Sequence, residues 1–251
     1  MSSENKLLTI ITICYNSEKT IRDTLNSVIK QVDQEFEYII IDGGSNDGTI
    51  EIIKSFKRCD KFISEKDKGL YDALNKGVMM STGNFIGILH SDDIFNNNNS
   101  ISIIKKSLEG SYFDSHIFNA IQINQKGKTV RKLNNNNWSR NKLYSGFMPS
   151  HISTIYSRNV FIKYGLYNYK YIICGDYEHA VRLFLKKNIS YKKHNEIITK
   201  MRIGGKSTSG LKSYYIISKE ICNSFDDNNL NYNKLRIWLR LFLKLNQLIN
   251  Y

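Results

Sequence analysis

The chain has 251 residues, enough for one large domain or one domain with an appendage, and its 41% hydrophobic and 12% aromatic residues exclude a disordered protein. A formal net charge of +13 predicts an anionic partner (a nucleotide, a nucleic acid or an acidic membrane surface), unless the lysines simply form a solvated surface. Four scattered cysteines without paired spacing argue against a zinc site or a disulfide framework.

The cellular location follows from the cysteines and from the first apolar run. Unpaired cysteines are typical of a reducing compartment. Residues 7–14 form an apolar run that is too short for a signal peptide or a membrane span. We therefore expect a cytoplasmic protein, which could still attach to the inner face of the cell membrane.

The first half of the chain alternates apolar runs with amphipathic segments. Runs with the composition of buried strands lie at residues 7–14, 36–41, 62–64 and 85–89. Segments with apolar residues at helical spacing lie at 19–31, 49–56 and 72–80. This alternation predicts an α/β fold with a mostly parallel sheet and helices on both faces.

Polar side chains follow three of these predicted strands. They are Tyr15, Asp42, and the pair Asp92 and Asp93. Ligands of open α/β sheets bind at the carboxyl ends of the strands, and the glycine-rich segment 43–49 lets a ligand approach the backbone. The alternative is that these aspartates only form the turns that end the strands, where aspartate is common. Their recurrence at successive strand ends nevertheless favours a nucleotide or cation site.

The second half has a different pattern. Residues 117–123 and 129–133 flank a turn and predict a β-hairpin, and 152–156 is a further strand candidate. Helices are predicted at 158–164 and from about 175 to 187, with Asp176 at the position of an N-cap, so helix capping is the alternative role for Asp176. Residues 200–210 predict a glycine-rich loop that could close over a ligand, with the wrong spacing for a nucleoside-triphosphatase phosphate loop.

Five segments of the sequence resemble, in order, the motifs of family-2 glycosyltransferases. They are residues 9–16, 41–49, 67–77, 91–93, and 175–178 with 204–207. The residue pattern of the third segment is similar to that of enzymes that make bacterial surface polysaccharides, such as O-antigen, lipopolysaccharide, capsule or exopolysaccharide. The resemblance implies the GT-A fold, with a nucleotide-sugar-binding half at residues 1–100 and an acceptor-binding and catalytic-base half at 101–210. The tail at 211–251 matches no motif of the family and is predicted to be helical from its own residues.

The resemblance also implies roles for individual residues. The implied donor-binding residues are Tyr15, Asp42, Lys68, Asp72, Asn75 and Asp92, the metal ligand is Asp93, and the catalytic base is Asp176. Tyr15 would stack on the base of the donor, Asp42 would bond the base or ribose, and Asp92 would lie near the ribose. Many relatives carry two acids where this chain has Asp42 and Gly43, so the contact of Asp42 could shift or weaken.

The chemistry of sugar transfer needs these residue types. A leaving diphosphate is stabilised by Mg²⁺ or Mn²⁺ held through one or two carboxylates. A single carboxylate can take the proton of the attacking hydroxyl, and one base without a nucleophile predicts inversion. We expect a UDP-linked hexose or N-acetylhexosamine donor and a saccharide acceptor, which could be carried on a polyprenyl-diphosphate lipid. His151 could help to place the diphosphate, although a structural role is the stronger interpretation.

The stretch from Lys234 to Ile249 predicts a basic amphipathic helix. Arg236, Arg240 and Lys244 share one stripe and large apolar residues cover the other side, a pattern that suits an anionic membrane surface. Packing on the domain, or a dimer contact, is the alternative.

Two other functions remain open at this point. A nucleotidyltransferase would also use an α/β sheet with paired aspartates, although no glycine-rich basic loop follows the first strand. A nucleic-acid-binding module would explain the charge, but no binding motif is recognisable and we expect no nucleic-acid partner.

Overall fold

The computed structural model describes residues 6–204 and 210–239. The strands are β1 (Leu8–Cys14), β2 (Glu37–Asp42), β3 (Lys61–Ser64), β4 (Phe85–Ile88), β5 (Ile94–Phe95), β6 (Ser115–Ile123), β7 (Thr129–Leu133), β8 (Thr154–Ser157) and β9 (Tyr191–Arg202). The helices are α1 (Ile21–Ile29), α2 (Thr49–Lys54), α3 (Leu70–Met80), α4 (Ser100–Leu108), α5 (Arg158–Tyr164), α6 (Gly175–Ala180), α7 (Gly210–Asp227) and α8 (Lys234–Trp238). Within the described residues these strands form one sheet, in the order β3-β2-β1-β4-β8-β6-β9-β5, with β7 beside β6.

The first four strands are all parallel, as predicted. β1 lies between β2 and β4, and β3 pairs with the outer edge of β2. Every residue of β1 and β2 is buried, which their runs of isoleucine permit because both faces of the strands are covered. Ile11 packs with Leu74 of α3 in one core cluster, and Ile10 packs with Leu25 of α1 in another. Since successive side chains of a strand point to opposite faces, helices cover both faces of the sheet.

The second half extends the same sheet. β8 pairs antiparallel with β4 and β6, and β9 runs parallel to β6. The predicted hairpin is confirmed as β6 and β7, and the predicted helix at 158–164 is confirmed as α5. The strand predicted at 152–156 begins only at Thr154, because His151–Ser153 forms a short 3₁₀ turn.

Several predicted boundaries were wrong. Residues 200–202 belong to strand β9, so the loop predicted at 200–210 begins later, and residues 205–209 lie outside the described part. Cys174, not Asp176, is the N-cap of α6, and Asp176 lies in the first helical turn. The helix predicted to reach 187 continues from α6 as a wider π-helical turn over Val181–Lys186.

The C-terminal helices pack on the second half. Phe225 of α7 is fully buried, and its ring stacks on the ring of Tyr144 at 5.6 Å. Ile237 of α8 is also fully buried, and the Trp238 ring lies 5.6 Å from that of Tyr215. The start of the predicted amphipathic tail therefore contacts the domain, while residues 240–251 lie outside the described part. None of the helices in the described ranges is both long and apolar enough to cross a membrane.

Candidate active site

The carboxyl ends of β1, β2 and β4 meet at one edge of the sheet, as predicted. Cys14, the last residue of β1, is in register with Asp42 at the end of β2, and their side chains are 3.5 Å apart. The loops that follow β1 and β4 also touch, because the hydroxyl groups of Ser17 and Ser91 lie 2.8 Å apart. The backbone segments that bear the polar residues singled out from the sequence therefore meet at this edge.

Asp42 is fully buried and its carboxylate accepts hydrogen bonds from the chain itself. Oδ2 accepts from the backbone N–H groups of Gly44 and Ser45 and from the Ser64 hydroxyl, and Oδ1 accepts from the Ser45 hydroxyl at 2.5 Å. Burial alone would raise the pKa of Asp42, but these hydrogen bonds hold it below its usual value. The observed contacts fix the shape of the loop 43–45, and a direct contact of Asp42 with the donor stays a prediction.

Tyr15 is the exposed aromatic residue of this edge, with 63% of its surface accessible. Its ring lies against Gly43, since a Cβ placed on that glycine would be 3.4 Å from the Tyr15 ring and 3.0 Å from Oδ2 of Asp67. Asp67 pairs through its other oxygen with Lys76 at 2.5 Å. The sequence prediction gave Asp67 no role, although it opens the 67–77 motif and lies beside the surface predicted to hold the base.

Three further predicted donor residues lie at or near α3. Lys68 is exposed, and its ammonium group lies 5.5 Å from the centre of the Tyr169 ring. Asp72 accepts the backbone N–H of Lys68 at 2.9 Å and so shapes the entry to α3. The Asn75 amide is buried and bonds both the N–H and the carbonyl of Tyr167, at 2.9 and 2.8 Å. Asn75 thus joins α3 to the second half, and its predicted contact with the donor stays a prediction.

Asp92 and Asp93 follow β4, as predicted, with different surroundings. Asp93 is 2% exposed, and its Oδ1 accepts the backbone N–H of Arg202 at 3.2 Å. Asp92 is half-buried and takes part in no hydrogen bond within the described residues. Burial and the adjacent charge of Asp92 raise the pKa of Asp93 well above its usual value. The contact of Arg202 had no signal in the sequence, because it uses the backbone.

The two carboxylates that follow β4 are enough for a divalent cation that also binds oxygen atoms of the substrate. The described residues contain no cluster of three or more histidine, cysteine or acidic side chains able to bind a metal by themselves. Mg²⁺ bound with a nucleotide needs only one or two carboxylates and takes its other ligands from phosphate and water. Asp92 and Asp93 supply that number, and a cation would relieve the repulsion between them.

Asp176 lies in the first turn of α6 and contacts Tyr71 of α3. Its Oδ1 accepts the Tyr71 hydroxyl at 3.1 Å and the N–H of Tyr177 at 2.8 Å. Burial raises the pKa of Asp176 to about 6. Both of these hydrogen bonds end on the same carboxylate oxygen, Oδ1. A half-buried carboxyl group with this pKa is suited to general-base catalysis.

A series of ring contacts links Asp176 to the loop after β4. The ring of His90 lies 5.8 Å from that of His151, which lies 5.7 Å from the Tyr167 ring. Tyr167 in turn lies 6.1 Å from Tyr71, the hydroxyl partner of Asp176. Burial lowers the pKa of both histidines to about 4, so neither carries charge at neutral pH. His151 is therefore a neutral ring within this series of ring contacts, which agrees with the structural role favoured from the sequence.

The segment that contains these residues matches a known family. Residues 9–186, more than half of the chain, match the sequence profile of glycosyl transferase family 2. The chain belongs to this family. The segment includes every predicted site residue from Tyr15 to Asp176, whereas α7 and α8 lie beyond it.

Curated relatives of the chain are also glycosyltransferases. A PGL/p-HBAD biosynthesis glycosyltransferase of Mycobacterium bovis is 25% identical over 71% of this chain and 70% of its own length. A putative teichuronic acid biosynthesis glycosyltransferase, TuaG of Bacillus subtilis, is 34% identical over 37% of this chain and 38% of its own length. An uncharacterized glycosyltransferase of Rickettsia bellii is 29% identical over 53% of this chain but only 20% of its own length, so that relative is much longer than the shared part.

Solved structures share the fold. S. aureus TarS 1-349 in complex with UDP-GlcNAc superposes with a TM-score of 0.69 and 17% identity, covering 97% of this chain and 73% of that one. The mannosyltransferase PcManGT of Pyrobaculum calidifontis, in complex with GDP-Man and Mn²⁺, has a TM-score of 0.68 and 12% identity, covering 95% and 70%. The fold is therefore the GT-A type expected from the sequence.

Proposed function

We propose that this protein is an inverting, metal-dependent glycosyltransferase that moves a hexosyl or N-acetylhexosaminyl group from a UDP-linked donor to a hydroxyl group of a saccharide. The observation that carries the proposal is the position of Asp176. This carboxyl group has a raised pKa, and ring contacts join its partner Tyr71 to the loop that bears Asp92 and Asp93. A base and a diphosphate-binding edge within one structure are what sugar transfer requires.

The donor is assigned to the edge formed by residues 1–100. Tyr15 would stack on the base, since its exposed ring is held against Gly43. Asp42 would act on the base or ribose through the loop that it shapes, and Asp92 would lie near the ribose. Asp93 would hold Mg²⁺ or Mn²⁺, which when bound neutralises the charge of the leaving diphosphate. The Mn²⁺ complex of PcManGT supports this choice of ion.

Three residues at or near α3 are proposed to complete the donor pocket: Lys68, Asp72 and Asn75. Lys68 would supply an exposed positive charge suited to a diphosphate. Asp72 and Asn75 would act mainly by shaping the backbone around it, because their recorded bonds go to the chain. UDP-GlcNAc bound to the structurally similar TarS supports a UDP-linked donor.

Asp176 is proposed to take the proton of the acceptor hydroxyl as its oxygen attacks the anomeric carbon and the nucleoside diphosphate leaves. Retention through a covalent intermediate would need a second free carboxylate close to the base. The nearby acids are already engaged, since Glu178 pairs with Arg182 at 2.9 Å and Glu220 accepts three backbone N–H groups. Direct displacement with inversion is therefore the favoured route.

Binding of the acceptor is assigned to residues 101–210. The reaction is assigned to the synthesis of a surface polysaccharide. The relation to TuaG supports a saccharide acceptor. A polyprenyl-diphosphate carrier would fit the net charge of +13, and the basic tail would then bind the inner face of the cell membrane.

The decisive experiment is a screen of nucleotide-sugars, with and without Mn²⁺, for binding and for release of the nucleoside diphosphate. We expect one UDP-sugar to be turned over by the wild type and not by Asp176→Asn. Release of pyrophosphate from a nucleoside triphosphate would instead identify a nucleotidyltransferase. Equal activity of the two proteins would refute the assignment of the base.

A further inference from the structure

Helix α7 contacts the loop that carries Asp176 through one carboxylate. Oε1 of Glu220 accepts the backbone N–H of Ile172 at 2.8 Å, and Oε2 accepts those of Ile173 and Cys174 at 3.0 and 2.7 Å. Glu220 is only 8% exposed. Three consecutive N–H groups thus converge on one buried carboxylate, immediately before the helix turn that bears the base.

These bonds are strong and directional. Hydrogen bonds from N–H groups to an ionised carboxylate are shorter and roughly twice as strong as those between neutral groups. The same loop presents its Ile173 carbonyl to the Tyr71 hydroxyl, which also contacts Asp176. A shift of the loop would therefore move both Asp176 and its hydrogen-bond partner.

We propose that Glu220 is a positioning residue for the catalytic base, so that α7 is a working part of the active site and not an appendage. The proposal rests on the assignment of Asp176 as the base under the proposed function. Glu220 lies outside the segment that matches the family, and no sequence motif marks it. It touches neither donor nor acceptor in this assignment and acts only through the loop at 172–174.

Glu220 also belongs to the electrostatic surroundings of Asp176. The groups that face Asp176 are Tyr71 from α3, Tyr156 from β8, Tyr167 from the preceding loop and Glu220 from α7. The charge of Glu220 raises the pKa of Asp176, while the Tyr71 hydroxyl lowers it. Removal of the Glu220 charge should therefore move the pKa of Asp176 downward.

The chain offers a matched control on the same helix. Asp227 of α7 accepts the Tyr171 hydroxyl at 2.7 Å, so it also joins α7 to this loop through a carboxylate. Unlike Glu220, it bonds none of the three N–H groups. Glu220→Gln and Asp227→Asn should both weaken the packing of α7. Only Glu220→Gln should change the pKa of Asp176.

The test is a ¹³C NMR titration of the Asp176 carboxyl group in the full chain, assigned by its loss in Asp176→Asn. We expect a lower pKa in Glu220→Gln, and the wild-type value in Asp227→Asn. Amide hydrogen exchange at residues 172–174 should become faster in Glu220→Gln. If Glu220→Gln does not fold, Glu220→Asp keeps the charge and should show the faster exchange alone.

Kinetics distinguish failure of this inference from failure of the proposed function. With the donor found in the screen, Glu220→Gln should lower kcat on the order of 10²-fold, the effect of misplacing a catalytic group by about 1 Å. Its affinity for UDP should stay within about twofold of the wild type, since no donor contact is lost. Unchanged amide exchange at residues 172–174 with unchanged kcat in Glu220→Gln, or equal changes in both variants, would overturn the role of Glu220 even if Asp176→Asn is inactive. An active Asp176→Asn would instead overturn the proposed base.

Discussion

The hydroxyl oxygen of Tyr71 lies 3.1 Å from Oδ1 of Asp176 and 2.5 Å from the Ile173 carbonyl oxygen. A tyrosine hydroxyl has one proton, so it can donate fully to only one of these two acceptors at a time. Ionised Asp176 attracts that proton, whereas protonated Asp176 leaves it to the carbonyl. Gly175 makes this approach possible, because a Cβ at that position would lie 2.7 Å from the Tyr71 ring.

Replacement of Tyr71 by phenylalanine should raise the pKa of Asp176, since the ionised form loses a hydrogen bond. The acid limb of the kcat/KM profile should then move to higher pH, opposite to the shift expected for Glu220→Gln. Tyr167→Phe is the control, because the buried Tyr167 hydroxyl has no hydrogen-bond partner in the described structure. Superimposable profiles for Tyr71→Phe and the wild type would show that the hydroxyl does not act on the base.

Asp176→Asn should abolish most turnover and leave donor binding intact. General-base catalysis typically contributes about 10²- to 10⁴-fold, and kcat should fall by that factor. Calorimetric titration with UDP should give an affinity within about threefold of the wild type, since Asp176 is assigned to the acceptor side. Loss of UDP binding would move Asp176 into the donor site.

The same substitution should stabilise the protein at high pH. Burial raises the pKa of Asp176 from 3.8 to about 6, so its contribution to stability is fully present below about pH 4 and is lost as pH rises through 6. Above that pH, Asp176→Asn should increase the free energy of unfolding by up to roughly 3 kcal/mol, the value of about two pKa units. Urea unfolding at pH 4 and pH 8 measures the difference, which should disappear at the lower pH.

Asp93→Ala should remove the metal-dependent part of nucleotide binding. Calorimetry with UDP, in Mn²⁺ and in EDTA, should show a gain in affinity from the metal only in the wild type. Glu109→Ala, which removes an exposed acid beyond α4, is the control for net charge. A full gain from Mn²⁺ in Asp93→Ala would place the ion elsewhere.

The tail should carry the contact with membranes. Because Ile237 and Trp238 pack on the domain, the truncated chain should end after Leu239, where the buried contacts are kept. Full-length protein should float with vesicles that contain anionic phospholipid, and the truncated protein should float less. Equal flotation of the two chains would favour packing of the tail on the domain.

The edge at which the strand ends meet could be predicted because its signals are local in sequence. Each of the parallel strands β1, β2 and β4 is a run of apolar residues that ends in polar ones, and parallel strands deliver such ends to one edge. The motif around Asp176 was found by resemblance, and its apparent capping role was wrong because Cys174 occupies that position.

Other features had no local signal. Strand β9 has polar residues on both sides over most of its length, so neither helical nor alternating periodicity marks it. One of the hydrogen bonds to the Asp42 carboxylate comes from Ser64, which lies on the neighbouring strand β3. Glu220 accepts hydrogen bonds from backbone N–H groups about fifty residues away. Such bonds do not depend on the side chains of the donor residues, so the sequence does not indicate them.

The pairing of β4 with both β1 and β8 has a mechanical consequence. Strands of the first and second halves of the chain belong to one continuous hydrogen-bonded sheet, so a hinge between the two halves would have to break the hydrogen bonds between β4 and β8. If substrates bind at this edge as proposed, we expect their entry and release to occur through movement of the loops and not through a hinge within the sheet.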